Sequence, residues 1–122
     1  MTMVLAAAVQ LEAVLGDIPA NLAACERLAD EAGRAGARII ALPEFFTTGI
    51  GFEPALATAA LPPGGAATEL LTKLARRHRA LVGGSFLCRD TDGHVRNAYL
   101  LAGLDGGSAR LDEGEPKLEP PA

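Results

Sequence analysis

Apolar residues fall in short runs, separated by glycine, proline and acidic turns, and these alternate with stretches of helical period. Val4 to Gln10 is short and apolar and reads as a central strand, although its alanines suit a helix equally well. Gly16-Asp17-Ile18-Pro19 is a turn into a helix, with Pro19 near the first helical position, where a missing N–H does no harm. From Ala20 to Ala35, Leu22, Cys25, Leu28, Ala29 and Ala32 recur on one face, while Glu26, Arg27, Asp30, Glu31 and Arg34 occupy the other. Gly33 and Gly36 mark the end of that helix. Arg38 to Leu42 carries two β-branched residues and reads as a buried strand, which completes a β-α-β unit. Thr47 to Gly65 reads as a long connection rich in glycine and proline, of the kind that is either functional or lies loosely on the surface.

A second helix follows from about Ala66 to Arg79, with Leu70, Leu71, Leu74, Ala75 and His78 on one face. Leu81 to Leu87 is a third strand, closed by Cys88. Arg89 to His94 is a hairpin loop with Asp92-Gly93 as its turn signal, and Asn97 to Ala102 is the returning strand. After a turn over Leu104 to Gly107, Ser108 to Leu111 begins another strand, so the pairs after the second helix are antiparallel. The hydrophobic pattern stops at Leu111. Residues 1–111 therefore read as the folded part, and the acidic, proline-rich 112–122 as a flexible tail.

Composition narrows the class. The 122 residues suffice for one domain with its own core, and 49% hydrophobic content excludes a disordered chain. Aromatic residues are only 4%, so that core is built from Ala, Leu, Val and Ile. The net charge is −4, of which Asp112, Glu113, Glu115 and Glu119 against Lys117 account for −3. The remainder is near neutral and offers no nucleic-acid footprint. No apolar run is long enough to span a bilayer, and Met1 to Leu5 lacks the basic start of a signal peptide. Cys25 and Cys88 both lie in apolar segments and read as free buried thiols in a reducing cytoplasm. Lys73, Arg76, Arg77 and Arg79 crowd the end of the second helix, where cations complement the helix dipole, and His78 there reads as a packed or capping residue.

Glu44 is the candidate for chemistry. It follows Ile39 to Leu42 and Pro43, just past the carboxyl end of a strand, where open α/β sheets place their ligands. Phe45 and Phe46 come next, and a carboxylate beside two rings is expected to be poorly solvated and more basic, as a general base requires. The alternative is a glutamate that caps a loop donor at the edge of the protein, and the residues alone leave both open.

Gly16-Asp17 with Asn21, Ala41-Leu42-Pro43-Glu44-Phe45 with Thr48-Gly49, His78, Val82-Gly83-Gly84-Ser85 and Asn97-Ala98 together resemble the first part of a nitrilase-superfamily carbon–nitrogen hydrolase. The resemblance extends from about Val4 to Leu111. It implies an αββα sandwich, of which this chain is a part: two helices on one face of a mixed α/β sheet. It also implies a Glu-Lys-Cys triad that acts on a small amide or nitrile, with no cofactor and no metal. Glu44 takes the place of the family's general base. The family's lysine position, aligned on Ser108 to Asp112, is occupied by Glu113, and Lys117 stands in a proline-rich setting. Cys25 and Cys88 match neither the position nor the context of the nucleophile, which comes later in the family than these residues reach. A base without its nucleophile has no covalent route. The expectation is accordingly an inactive amino-terminal part of a hydrolase. The other readings are one half of a split enzyme completed by a second chain, and a non-catalytic interaction module. A half-sandwich by itself leaves one sheet face and several strand edges uncovered, which invites association.

Overall fold

The computed structural model describes residues 3–51 and 54–113. Its elements are β1 (Ala6–Ala8), α1 (Ile18–Arg34), β2 (Ile39–Ala41), a 3-10 helix (Pro54–Ala59), α2 (Ala66–His78), β3 (Leu81–Arg89), β4 (Val95–Ala102) and β5 (Ser108–Glu113). The strands form one mixed sheet in the order β1-β2-β3-β4-β5. β1, β2 and β3 run parallel, whereas β3-β4 and β4-β5 are antiparallel. The fold is the α/β arrangement expected, with both helices against one sheet face.

The side-chain pattern explains the layering. Asp17 caps α1 by accepting the Ala20 N–H, and Asn21, Cys25 and Ala29 form its buried stripe. Ala67, Leu70, Leu71, Leu74 and Ala75 form that of α2. Every second residue of the sheet meets these stripes: Ile40, Val82, Phe86, Cys88, Ala98, Leu100 and Ala102 are all buried. The intervening residues point the other way, and Ile39, Leu81, Leu101 and Leu111 are 42%, 38%, 37% and 59% exposed there. One face of the sheet is thus a sealed core, and the other is an open, apolar surface.

Several sequence expectations need correction, the first being the central place given to Val4 to Gln10: among the described residues β1 is Ala6–Ala8 and stands at one end of the strand order. Gly33 does not end α1; a Cβ there would collide with the His78 ring, so glycine is required for the close approach of α2, and Gly36 alone, at φ +100°, provides the left-handed exit. Of the two readings open for the connection 47–65, a loose lay on the surface does not fit its described residues. It contains the 3-10 helix, and Leu61 bridges to Cys88, its N–H donating to Leu87 O and its carbonyl accepting from Arg89 N–H. The chain also stays in the sheet past Leu111, since Asp112 pairs with Ala98 and Glu113 with Asn97 in register. Among the described residues β5 is the last strand of the sheet, and its backbone pairing continues where the hydrophobic period stops. The rest of the acidic tail, 114–122, lies outside the described residues.

Two ionic networks tie the elements together. Glu26 and Asp30 on α1 hold Lys73, Arg77 and His78 on α2, with His78 Nε2 2.6 Å from Asp30 Oδ1. The basic cluster therefore serves interhelical pairing as well as the helix dipole. At the hairpin, Asp90 accepts from both Arg96 and Arg110, which ties β5 to the β3-β4 turn. Hydrogen bonds from Lys73 and then Arg77 hold the Glu26 carboxyl below its usual range. Burial pushes Asp30 upward, but its bonds from His78 and Arg77 together outweigh that and leave it lowered. Asp90 lies well below the carboxylate range because of Arg110 and Arg96.

Carboxyls depressed in the folded state stabilise it above their unfolded pKa, about 4, and lose that contribution as pH falls. The melting temperature is therefore expected to hold steady between neutral pH and about 5 and to fall steeply toward pH 2. Thermal melts across that range check it: Asp30→Asn and Asp90→Asn should flatten the decline, and curves parallel to wild type would show that the networks contribute nothing.

Candidate functional site

β2 ends at Ala41, and the chain is tied in place as it leaves the sheet: Leu42 N–H donates to Gly83 O at 2.7 Å, while Val9 N–H donates to Ala41 O at 2.8 Å. Pro43 follows, and a five-residue turn begins at Glu44. Phe45 has φ +54°, a left-handed conformation that costs a non-glycine residue about 1 kcal/mol or more. Ser85, buried in β3, stabilises this elbow twice. Its Oγ accepts the Phe45 N–H at 3.0 Å, and its carbonyl accepts the Phe46 N–H at 3.0 Å.

The far side of the turn is anchored to the entrance of α1. Asn21 is buried and fully used: Nδ2 donates to Val14 O at 2.8 Å and Thr47 O at 2.9 Å, and Oδ1 accepts the Val14 N–H at 2.8 Å. Gly16 N–H donates to Thr48 O at 2.8 Å. Phe46 enters the core with no exposure, its ring edge-on to Phe86 at 6.1 Å. Thr47 is also fully buried, yet its Oγ1 has no hydrogen-bond partner among the described residues.

This local order places Glu44 differently from the sequence expectation. Phe46 is committed to the core and Phe45 is only half-buried, so the rings do not enclose the carboxylate, and Glu44 is exposed. Asn97 Nδ2, on β4, donates to Glu44 Oε2 at 3.2 Å. Glu44 lines two cavities. One, of about 410 Å³, is completed by Leu42, Ser85, Tyr99 and Leu111. The other, of about 320 Å³, is apolar and includes Leu11, Leu15, Pro43, Phe45 and Ile50. Ser85 and Tyr99 pair across β3 and β4, and the backbone of position 113 pairs with Asn97, so β5 flanks the same site.

The other candidates lie elsewhere. Cys25 and Cys88 are free and buried on the helix-covered side, and burial pushes both thiols up to about 11. Lys73, Arg77 and His78 of α2 pair with α1, and neither they nor Arg76 line the Glu44 cavities. Lys117 lies outside the described residues. Among the described residues, no cluster of three or more His, Cys, Asp or Glu is placed to hold a metal ion, and no helix is long and apolar enough to cross a membrane. Sequence reasoning assigned no role to Tyr99. Its signal was its place opposite Ser85 on a strand, legible only once the register is known.

A family model described as "Carbon-nitrogen hydrolase" matches residues 5–110. Among solved structures, the chain is similar to XC1258 from Xanthomonas campestris, a CN-hydrolase superfamily protein with an arsenic adduct in its active site: TM-score 0.76, 27% identity, 86% of this chain and 38% of that one. It is similar in fold to Nit3 of Saccharomyces cerevisiae, a member of branch 10 of the nitrilase superfamily, at TM-score 0.75 and 19% identity, covering 86% of this chain and 42% of that one. An N-terminal amidase has TM-score 0.75 and 18% identity, with 87% of this chain and 26% of that one covered. The chain thus spans less than half the length of each. A comparison with curated protein sequences finds no match.

The elbow's two serine bonds and the orphaned threonine give opposite expectations. Ser85→Ala leaves the Phe45 N–H without its acceptor and should destabilise by about 1–3 kcal/mol. Thr47→Val keeps shape, removes a buried unpaired hydroxyl, and should be neutral or stabilising by up to about 1 kcal/mol. Urea unfolding of the two variants checks both signs.

Proposed function

Because the chain belongs to the carbon–nitrogen hydrolase family, we propose that it carries the general base of an amidase- or nitrilase-type site, and that Glu44 is that base. The observation that carries this reading is the placement of Glu44 at the carboxyl end of β2, exposed in a cavity and held by an elbow that Ser85 fixes. The substrate is a small amide or nitrile. For an amide, a cysteine thiol passes its proton to Glu44 as sulfur bonds to the carbonyl carbon. The C–N bond then breaks, the departing amine takes the proton, and a thioester remains. Glu44 next accepts a proton from the water that attacks the thioester; the S–C bond breaks, the thiolate is reprotonated, and the acid leaves. A lysine beside the carbonyl oxygen stabilises each tetrahedral intermediate.

Neither the nucleophile nor the lysine comes from the described residues. Cys25 and Cys88 are on the wrong side of the sheet, with thiols too weakly acidic for attack near neutral pH. At the lysine position the sequence has Glu113, whose backbone lies opposite Asn97 and thus beside the Glu44 cavity. These 122 residues alone are therefore expected to be inactive, with lysine and cysteine supplied by further chain or by a second polypeptide. The open apolar face formed by Ile39, Leu81, Leu101 and Leu111 favours a covering layer from one of those sources, or self-association in its absence. The free, buried thiols suit the cytoplasm.

A chimera tests the reading. Residues 5–110 replace the matching segment of a full-length family hydrolase, and ammonia release from small amides is followed. The chimera should turn over, Glu44→Gln within it should lower kcat by about 10²–10⁴, and the 122-residue chain alone should release no ammonia. Unchanged turnover in Glu44→Gln would remove Glu44 from the mechanism.

A further inference from the structure

We propose that Asn97 is the positioning residue for Glu44, a neutral donor that orients the carboxylate without pairing it to a charge. The geometry begins with the support. Asn97 sits in β4, paired on one side with Leu87 of β3 and on the other with the backbone of position 113 in β5. A side chain on a strand held from both edges is a far stiffer anchor than one on a loop. Its Nδ2 reaches Glu44 Oε2 at 3.2 Å across a sequence separation of 53 residues. Glu44 itself rises from the elbow that Ser85 fixes through its Oγ and its carbonyl. The backbone and the carboxylate are therefore located from two neighbouring strands, β3 and β4.

The choice of donor follows from what a base needs. A lysine or arginine at this place would orient the carboxylate equally well, but its charge would favour the ionised form and weaken the base. An amide gives the directional bond, carries no charge at any working pH, and holds only one of the two oxygens. Cations are abundant elsewhere in the molecule, where Lys73, Arg77, Arg96 and Arg110 bind Glu26, Asp30, Asp90 and Asp92. Among the described residues, none of the ion pairs includes Glu44. The half-buried Asn97 also limits the rotamers open to an otherwise exposed glutamate, so the carboxylate is held at the mouth of its cavity before any substrate arrives.

The purpose assigned to this contact rests on the reading of Glu44 as a base; the contact and its test do not. The test is a ¹³C NMR titration of the glutamate side-chain carboxyls in the 122-residue chain, with the Glu44 signal identified by its loss in Glu44→Gln. In the wild type, the Asn97 side-chain N–H₂ resonances should move with the same midpoint as the Glu44 carboxyl. Asn97→Asp puts a like charge beside Glu44 and should raise the midpoint by about one unit, a tenfold change in proton affinity. Asn97→Lys should lower it, and Asn97→Leu should raise it by less than Asp does. Opposite signs for Asp and Lys, with Leu between wild type and Asp, support the proposal. It is overturned if the Asn97 amide is insensitive to the Glu44 titration, or if all three midpoints match wild type while only melting temperatures change. The wild-type amide measurement decides the matter even if a variant fails to fold. A dispensable Glu44 in the chimera leaves the titration standing, whereas variant midpoints that all match wild type, with Glu44 essential in the chimera, overturn the positioning role alone.

Discussion

The structure depends on the elbow after β2. A parallel strand must leave the sheet at its carboxyl end, and here it does so through Pro43, Glu44 and a phenylalanine in left-handed conformation. Such a conformation is unfavourable for a side chain with a Cβ and persists only where its surroundings over-determine it. They do so here. Ser85 receives two backbone N–H groups, Asn21 and Gly16 bind the carbonyls of Thr47 and Thr48, and Phe46 is locked against Phe86 in the core. The anchors come from β3, from α1 and from the turn before it, so the elbow joins these to β2 at one point. The exposed carboxylate of Glu44 is the outcome of that joint.

The sheet on which the elbow rests has two unlike faces. Toward the helices, packing is close enough that Gly33 must yield its side chain to His78, and Gly84 must leave room for Phe46. Interhelical ion pairs then lie over this core, at its solvent edge, and each adds modestly to the packing beneath it. The opposite face exposes Ile39, Leu81, Leu101 and Leu111, with Glu44, Asn97 and Tyr99 at one end of it. A site at the margin of an uncovered apolar surface depends on whatever covers that surface to exclude water and to complete its chemistry.

Much of the fold was legible in the chain itself. The helices announce themselves by period, the β-α-β unit by its order, and the hairpin by Asp92-Gly93, because these signals are local and carried by few residues. Glu44 was legible as a candidate from its place after a strand and a proline. The limits were equally physical. Gly33 looks like a stop signal until its neighbour is known, and the charged end of β5 looks like tail because side-chain pattern does not report backbone pairing. Two adjacent phenylalanines suggest a dry carboxylate, but one of the rings is committed to the core, packed edge-on to Phe86, and Glu44 stays exposed.

The sequence by itself determined the class of fold, the order of its elements and the family to which they belong, since periodicity, turn chemistry and motif spacing are properties of neighbouring residues. Only the tertiary structure decided the environment of the carboxylate, the burial of both thiols beneath the helices, and the meeting of Ser85, Asn97 and Tyr99 around Glu44. Those residues are separated by 41 to 55 positions in the chain, and what brings them together is the register of three strands, a long-range property that no local pattern encodes.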